Sequence, residues 1–283
     1  MKFAVFTVSL PQWTPEQAVS ELAEQGWDGI EWRVVDAPPA QPGATPGFWS
    51  GNRATIGLSE FAQRAPALAR LAADAGLGLP AVGAYPTCDE PDDVERALQG
   101  TAALGAPAVR IRTPALGTEP YPELFRRARE RFGPIAERAG ELGVKVVVEL
   151  HHQTIVSSPS AALRLLEGMD PAHIGVLHDI GNMLAEGGEN ILAGLQMLGP
   201  YLAHVHVKNG AWVAGERRSD GTRQWSFEWA PLADGQADLA ALFAGLRQVG
   251  YDGWVSTEDF STELPLRERT AGNLALLRSL VDS

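Results

Sequence analysis

The sequence predicts a single α/β domain over residues 1–283, folded as a (β/α)8 barrel, the TIM-barrel architecture. First, short segments rich in β-branched residues alternate with longer amphipathic segments from one end to the other, as in parallel β/α units. Second, eight such units of about thirty residues each fill the chain. Third, a hydrophobic content of 45% in 283 residues suffices for one large core. A doubly wound sheet is the rival fold, but it more usually has fewer units and a glycine-rich turn after the first strand, where this chain has SLPQW.

Eight segments are predicted to be strands because they are short, apolar and bounded by turn residues. The fifth begins VKVVVEL, and its run of valines suits a strand covered on both faces. The predicted strands are residues 2–8, 28–35, 79–85, 107–113, 144–150, 173–180, 202–209 and 253–260.

A helix is predicted after each strand. The first opens with Thr14 as its cap and Pro15 at its first position. Pro66 should kink the second helix, and the fourth has a potential break at Gly133-Pro134. The predicted helices are residues 14–26, 58–76, 91–105, 121–143, 158–169, 189–200, 236–250 and 265–283.

Two connections, residues 36–57 and 210–235, are much longer than ordinary loops of a barrel. Both follow a strand, so both belong to the C-terminal face of the barrel, where active sites lie. We interpret them as walls or lids around a sugar-like ligand, with tolerated surface insertion as the alternative. The aromatic and guanidinium side chains that suit this role are Trp49, Trp212, Trp225, Trp229, Arg53, Arg217 and Arg218.

The charge and the cysteine content restrict the partners and the compartment. Asp and Glu number 35 against 23 Lys and Arg, and a net charge of −12 argues against nucleic acid as the partner. The single cysteine, Cys88, allows no intrachain disulfide and permits a reducing compartment. The first apolar run is too short for a secretory signal, and no run is long enough for a membrane span. These features predict a cytoplasmic protein without a membrane partner.

Ionisable residues lie at or near the C-terminal ends of four consecutive predicted strands. Glu149, Asp179, His206 and Glu258 end or nearly end strands five to eight. Taken singly, such residues are often helix caps or core histidines. Together at one rim, three carboxylates would repel one another unless a cation lies among them. The oxygen-rich set with one nitrogen predicts one divalent metal, Mn²⁺ first, with Mg²⁺, Co²⁺ or Zn²⁺ as alternatives.

Five stretches carry a family resemblance that covers nearly the whole chain. They are GWDGIEW, VVVELHHQT, GVLHDIGN, HVHVKN and PLADGQADLAALFAGLRQVGYDGWVSTEDF. They resemble the sugar phosphate isomerase/epimerase superfamily of xylose isomerase-like barrels, which includes ketose 3-epimerases, inosose dehydratases and apurinic-site endonucleases. The resemblance implies that Glu149, Asp179, His206 and Glu258 bind one metal. It also implies that Glu149 and Glu258 transfer protons.

The chain departs from the family pattern on strand six, where Asp179-Ile-Gly-Asn182 replaces the common D-x-x-H. Asn182 can bond a hydroxyl but cannot exchange a proton, and with the acidic surface it weighs against the endonuclease branch. His151 and His152 follow Glu149, and neighbouring strand residues point in opposite directions. One of the two therefore is a candidate acid or base in the cavity, with a structural histidine as the alternative.

Three functions stay open from the sequence. The leading hypothesis is a metal-dependent sugar isomerase or epimerase that removes a proton next to a carbonyl. The runner-up is a lyase that performs β-elimination on a keto-sugar, such as an inosose or a 3-keto glycoside, with His151 or His152 as the acid. The third is a non-catalytic sugar- or metal-binding module.

The partner predicted in each case is a small carbohydrate, and a homo-oligomer or an auxiliary subunit over the long loops is compatible with the sequence. Phosphorylated substrates are less expected, because no glycine-rich phosphate loop is present. The candidate substrate contacts are Trp13, Glu31, Arg110, Arg112, Asn182, Lys208, Arg217 and Trp225.

Overall fold

Eight parallel strands close a barrel in the computed structural model, which describes residues 1–38 and 43–282. Helices lie between the strands, so the predicted (β/α)8 TIM barrel is confirmed. Around the barrel the order is β1-β2-β3-β4-β5-β6-β7-β10. These strands are β1 Lys2–Phe6, β2 Gly29–Val34, β3 Val82–Ala84, β4 Ala108–Arg110, β5 Lys145–Glu149, β6 Ile174–Asp179, β7 Leu202–Val207 and β10 Trp254–Thr257.

The strand register brings polar strand ends to one level. Asp179 of β6 lies opposite His206 of β7, and Ser256 of β10 lies opposite His206 on its other side. The β6–β7 pairing is irregular between Val176 and Leu177, and this irregularity precedes the Asp179 pairing. Because parallel strands in a barrel end at the same face, residues from distant parts of the chain become neighbours there.

Each of the eight predicted helices is present. Helices α2 and α4 continue through Pro66 and Pro134, so the potential break at Gly133-Pro134 does not occur. Both prolines lie on exposed faces, where water can bond the carbonyl that loses its helical partner. The helices are α1 Pro15–Gln25, α2 Phe61–Asp74, α3 Pro91–Leu104, α4 Tyr121–Glu141, α5 Pro159–Leu166, α6 Ile180–Ala185, α7 Ile191–Leu198, α8 Leu239–Gln248 and α9 Leu266–Asp282.

Two elements differ from the prediction. Residues 210–235, predicted as a long loop, contain an antiparallel hairpin of β8 Asn209–Arg217 and β9 Arg223–Ala230. Most of its residues are exposed on both faces, so the alternation that identifies a half-buried strand is missing from its sequence. The short helix α6 begins directly after β6, with the Asp179 side chain accepting from the Asn182 amide as its cap. Of the other long connection, residues 39–42 lie outside the described residues.

A large hydrophobic core surrounds the barrel. Trp32, Phe61, Phe132 and Phe243 are among its largest fully buried side chains. Within the described ranges, no helix combines the length and the apolar character needed to cross a membrane.

Candidate active site

The four ionisable side chains at the strand ends meet in one buried cluster. Each of Glu149, Asp179, His206 and Glu258 offers an oxygen or nitrogen atom, and these four atoms lie within 4.8 Å of one another. All four side chains are buried. Such a concentration of carboxylates in a buried place requires compensating positive charge.

His206 is oriented from below by Glu31, a buried residue of β2. Nε2 of His206 and Nε2 of His204 lie 3.0 Å and 2.9 Å from Oε2 of Glu31. Burial raises the pKa of Glu31, but the two imidazoles outweigh burial and hold this pKa well below its usual range. Because an ionised carboxylate only accepts hydrogen bonds, both imidazoles present Nε2–H to Glu31. Nδ1 of His206 is therefore the atom that faces the cluster, 3.3 Å from Oε1 of Glu258.

Lys208 supplies a cation inside this cluster. Its Nζ lies 2.7 Å from Oε2 of Glu258, 3.0 Å from Oδ2 of Asp179 and 3.9 Å from Oε1 of Glu149. Gly181 makes room for it, since a Cβ there would lie 2.3 Å from Cγ of Lys208. The ammonium group of the chain therefore neutralises part of the carboxylate charge.

The pKa values of the cluster reflect this crowding. Burial raises the pKa of Asp179 to about 7, although Lys208 opposes the change. Burial lowers the pKa of His206, but Glu31 and Glu258 outweigh burial and raise it to about 10. In the metal-free protein His206 is thus protonated, so its Nδ1 position holds a proton that a metal ion would replace.

The residues present fit a divalent cation. Among the described residues, Oδ2 of Asp179 and Nδ1 of His206 are buried atoms without a hydrogen bond, although Nζ of Lys208 lies 3.0 Å from the first and Oε1 of Glu258 lies 3.3 Å from the second. Three carboxylates and one imidazole form a ligand set for a hard or borderline metal. Glu31 behind His206 has the position of the outer carboxylate that commonly orients a histidine ligand.

A cavity of about 320 Å³ opens above the cluster. Aromatic rings and cationic side chains make up most of its wall, a combination that suits a small polar ligand with an apolar face. The lining residues are Trp49, Tyr85, Arg110, Arg112, Glu149, His151, His152, Lys208, Trp229, Glu258 and Phe260.

Both consecutive histidines line this cavity, where the sequence predicted only one of them. Their rings stack with centroids 4.5 Å apart. Nδ1 of His151 lies 2.7 Å from the His152 carbonyl, so this nitrogen carries the proton, because a carbonyl only accepts. Burial lowers the pKa of His151 to about 4, despite the opposing effect of Glu149. At neutral pH the ring is therefore uncharged, and its Nε2 holds a lone pair.

Asn182 connects the second histidine to Glu149. Its Nδ2 donates to Oε1 of Glu149 at 3.2 Å, and its Oδ1 lies 2.8 Å from Nδ1 of His152. Since the carboxylate fixes the amide orientation, Nδ1 of His152 is the donor in the second bond. The amide that replaces the family histidine thus orients two cavity residues without lining the cavity itself.

Besides Asn182, four predicted substrate contacts lie outside the cavity lining in the described structure. Glu31 is buried beneath His206, and Trp13 packs against the hydrophobic core. Arg217 and Trp225 lie on the exposed hairpin, which reaches the cavity only through Trp229 near its base. Arg110, Arg112 and Lys208 do line the cavity, as expected from their positions at strand ends.

Tyr85 and Phe260 line the cavity although the sequence analysis did not single them out. Tyr85 follows β3 directly, and Phe260 lies three residues beyond the end of β10. Their positions just after a strand could have identified them as cavity residues, because strand ends in a barrel converge on one face.

The fold and the site define a TIM barrel with a buried cluster of carboxylates and histidine at the C-terminal ends of its strands. The chain belongs to the xylose isomerase-like TIM barrel family, whose model matches residues 19–280.

Several curated relatives are inosose dehydratases. The protein of that name from Bacillus licheniformis is 30% identical over 144 residues, which are 48% of this chain and 47% of the relative. The one from Geobacillus kaustophilus is 32% identical over 127 residues, 42% of this chain and 40% of the relative. The matched segments therefore span less than half the length of these relatives.

Solved structures share the fold over the whole chain at low identity. The IOLI protein with a bound zinc atom has a TM-score of 0.75 at 17% identity, covering 99% of this chain and 98% of its own. D-psicose 3-epimerase in the presence of D-fructose has a TM-score of 0.73 at 16% identity, with 100% of both chains covered. The 3-keto-D-glucoside 4-epimerase YcjR from E. coli has the same TM-score, at 16% identity and 99% coverage of both chains.

Proposed function

We propose that this protein is a metal-dependent lyase that eliminates water, or another β-substituent, from a keto-carbohydrate. The observation that carries the proposal is the buried cluster of three carboxylates and an imidazole at the base of a small cavity. Such a site is suited to removing a proton next to a carbonyl. The inosose dehydratase relatives favour elimination as the outcome of that first step.

The proposed metal ligands are Glu149, Asp179, His206 and Glu258, with Mn²⁺ as the first choice of ion. When bound, a divalent cation would polarise a substrate carbonyl and stabilise the negative charge that develops on proton loss. Oδ2 of Asp179 and Nδ1 of His206, two buried atoms that make no hydrogen bond within the described structure, support the ligand assignment.

The two glutamates are the proposed proton-transfer groups. Burial raises the pKa of Glu149, but Arg110, 2.7 Å away, outweighs burial and lowers the pKa to about 2. Glu258 is held ionised in the same way, by Lys208 and His206 against burial, with its pKa well below the usual range. Each carboxylate is therefore ionised at neutral pH, which is the form that can accept a proton from the carbon next to the carbonyl.

Elimination also requires a proton for the departing oxygen. The α C–H bond breaks, a carbon–carbon double bond forms, and the β C–O bond breaks as the hydroxyl takes up a proton and leaves as water. His151 starts neutral with its Nε2 lone pair available, so it can take up the proton that a glutamate has removed from the α-carbon and pass it to the leaving group. Proton balance is then complete without any further reactant.

Epimerisation or isomerisation is the second candidate. Glu149 at the end of β5 and Glu258 after β10 come from separate parts of the barrel wall and both line the cavity. Two ionised carboxylates of this kind can remove a proton from one face of a substrate and return one to the other. The same first step thus serves both candidates, and only the fate of the β-substituent separates them.

The test uses metal-stripped protein reloaded with Mn²⁺ and incubated in D₂O with inososes, 3-keto glycosides and ketohexoses, followed by NMR. Loss of the β-substituent together with the proton beside the carbonyl, as a carbon–carbon double bond forms, is expected for the lyase. Deuterium with an epimer or isomer instead would establish the second candidate. Glu149→Gln should abolish either activity, and unchanged turnover in that variant would contradict both.

A non-catalytic sugar- or metal-binding module would show neither exchange nor product. In that case Glu149→Gln would weaken Mn²⁺ binding without removing any turnover. The metal affinity of this variant, measured by calorimetry, therefore accompanies the NMR experiment as a check on the site itself.

A further inference from the structure

Three guanidinium groups surround the ring of Tyr85 on one side of the cavity. Arg33 of β2, Arg110 of β4 and Arg112, two residues beyond β4, have their guanidinium carbons 4.9 Å, 4.8 Å and 5.7 Å from the ring centroid. Arg33 and Arg110 are buried, and Arg112 is partly buried. Positive charge is thus concentrated on the wall formed by β2, β3 and β4.

Among the residues that the structure describes, one of these three arginines has a carboxylate partner. Arg110 donates to Oε2 of Glu149 at 2.7 Å. Arg33 donates to two neutral acceptors, the Phe48 carbonyl at 3.2 Å and Oγ1 of Thr55 at 2.9 Å. Over the part of the chain that the structure describes, Nε of Arg33 has no hydrogen-bond partner.

Arg112 is the arginine of this group whose guanidinium is available to a ligand in the cavity. It lines the cavity, and among the described residues its guanidinium has no hydrogen-bond or ion-pair partner beyond the ring of Tyr85. Burial lowers the pKa of Arg112, and the neighbouring Arg110 adds to this effect. A partly buried guanidinium beside two others is electrostatically unfavourable without an anion.

We propose that Arg112 binds a carboxylate of the substrate, so that the substrate is an acidic carbohydrate bearing a ketone and a carboxylate. The planar guanidinium matches a carboxylate with two parallel hydrogen bonds. A neutral polyol would leave the positive charge of this wall uncompensated. The inference rests on the proposed function and adds the class of substrate to it.

The lining charges agree with this assignment. Arg110, Arg112 and Lys208 line the cavity together with Glu149 and Glu258, and the charge of a divalent metal would outweigh that of Asp179, the remaining carboxylate of the cluster. The net charge of the whole chain is −12, so the positive cavity contrasts with the rest of the protein. A local positive potential of this kind attracts an anionic ligand into the site.

A carboxylate accounts for the cavity better than a phosphate. Arg112 is one unpaired guanidinium, which satisfies a singly charged planar group, whereas phosphate sites usually add several backbone amides at a helix N-terminus. The cavity of about 320 Å³ also suits a single small ring or chain. Because an inosose has no carboxylate, the chain would differ in substrate from its dehydratase relatives.

The test compares matched pairs in which a hydroxymethyl group is replaced by a carboxylate. D-fructuronate is paired with D-fructose, and D-glucuronate with D-glucose. Binding to the Mn²⁺-loaded protein is measured by calorimetry for the wild type, Arg112→Met and Arg112→Lys. Arg70→Met, a change on the exposed face of α2, is the matched control. Thermal melts verify that every variant is folded.

The wild type should bind at least one acid about tenfold more tightly than its neutral counterpart. Arg112→Met should weaken the acid far more than the neutral sugar and so remove this preference, Arg112→Lys should retain part of it, and Arg70→Met should retain all of it. Equal affinity within each pair, equal weakening of both members in Arg112→Met, or no binding of either acid at millimolar concentration would overturn the proposal.

This outcome is separate from that of the proposed function. Selectivity for acids that depends on Arg112 can be observed without turnover, and turnover of neutral keto-sugars by a wild type without any preference for acids would leave the lyase proposal intact.

Discussion

Nζ of Lys208 lies 2.7 Å from Oε2 of Glu258, within the cluster of carboxylates at the base of the cavity. The chain therefore places its own cation among the oxygen atoms proposed to bind a divalent metal. Two cations cannot share the same buried oxygen atoms without strong repulsion. Metal binding should therefore require the ammonium group to withdraw from the cluster.

Replacing Lys208 by Met should strengthen metal binding and weaken the metal-free protein. We expect the Kd for Mn²⁺ to fall about tenfold, because the competing ammonium is gone. The metal-stripped variant should lose about 3 kcal/mol of unfolding free energy, since three buried carboxylates lose a counter-ion, and Mn²⁺ should restore it. Calorimetry and melts in EDTA measure both effects, with Lys208→Arg as the charge-retaining control. Equal Mn²⁺ affinity in the wild type and Lys208→Met would contradict the competition.

Glu31→Gln tests whether the carboxylate beneath His206 positions the ligand. The amide keeps the shape but cannot accept from both imidazoles with a full negative charge, so Nδ1 of His206 is less well oriented. Mn²⁺ affinity should fall about 10- to 100-fold. Its readouts are the Kd and the electron paramagnetic resonance spectrum of bound Mn²⁺, and the exposed Glu60→Gln is the matched control. A Kd within twofold of the wild type would show that Glu31 serves only packing.

Asn182→Ala should reduce turnover without loss of the metal. The change removes the bonds that hold Glu149 and His152 in place, and we expect kcat to fall by about tenfold or more. The Kd for Mn²⁺ should change less than in Glu31→Gln, because Arg110 still holds Glu149 through its other oxygen atom. Asn190→Ala, which removes the cap of α7, controls for a general loss of stability. Equal kcat values in both variants would assign Asn182 a structural role only.

Trp229 and Trp225 lie on the same strand but should differ in importance for binding. Trp229 lines the cavity, with Nζ of Lys208 5.3 Å from its ring, whereas Trp225 is 57% exposed on the hairpin. Trp229→Ala should weaken substrate binding by about tenfold through the loss of apolar contact area. Trp225→Ala should leave the affinity within twofold of the wild type. A larger effect of Trp225→Ala would mean that the hairpin folds over the bound substrate.

The buried thiol of Cys88 should make the free energy of unfolding depend on pH under alkaline conditions. Burial, with a contribution from Asp89, raises the pKa of its thiol from 9.0 to about 12. The thiol therefore loses its proton at a lower pH in the unfolded chain than in the folded protein. Its contribution to the free energy of unfolding is complete below about pH 9 and is lost as the pH rises toward 12. Wild-type stability relative to Cys88→Ala should fall by roughly 1.4 kcal/mol per pH unit above pH 9. Urea unfolding of both proteins measures the difference, and a constant difference over this range would be inconsistent with a raised pKa.

The local pattern of the chain was sufficient to predict the barrel. Strand and helix periodicity, turn residues and the Thr14 cap act over a few neighbouring residues, so they can be read from the sequence. The same reasoning placed Glu149, Asp179, His206 and Glu258 at one face, because all parallel strands of a barrel end there. The exposed hairpin after Asn209 escaped prediction because its residues lack a buried face.

The sequence by itself therefore determined the fold class and the rim on which the ionisable residues gather. Only the tertiary structure decided that Lys208 contacts three carboxylates at once, that Glu31 orients His206 across 175 positions of the chain, and that Arg112 faces the cavity without a hydrogen-bond or ion-pair partner among the described residues. These relationships depend on strand register and on the direction of each side chain. Strand register and side-chain direction are set when all eight strands pack together. The neighbouring residues in the sequence do not reveal either of them.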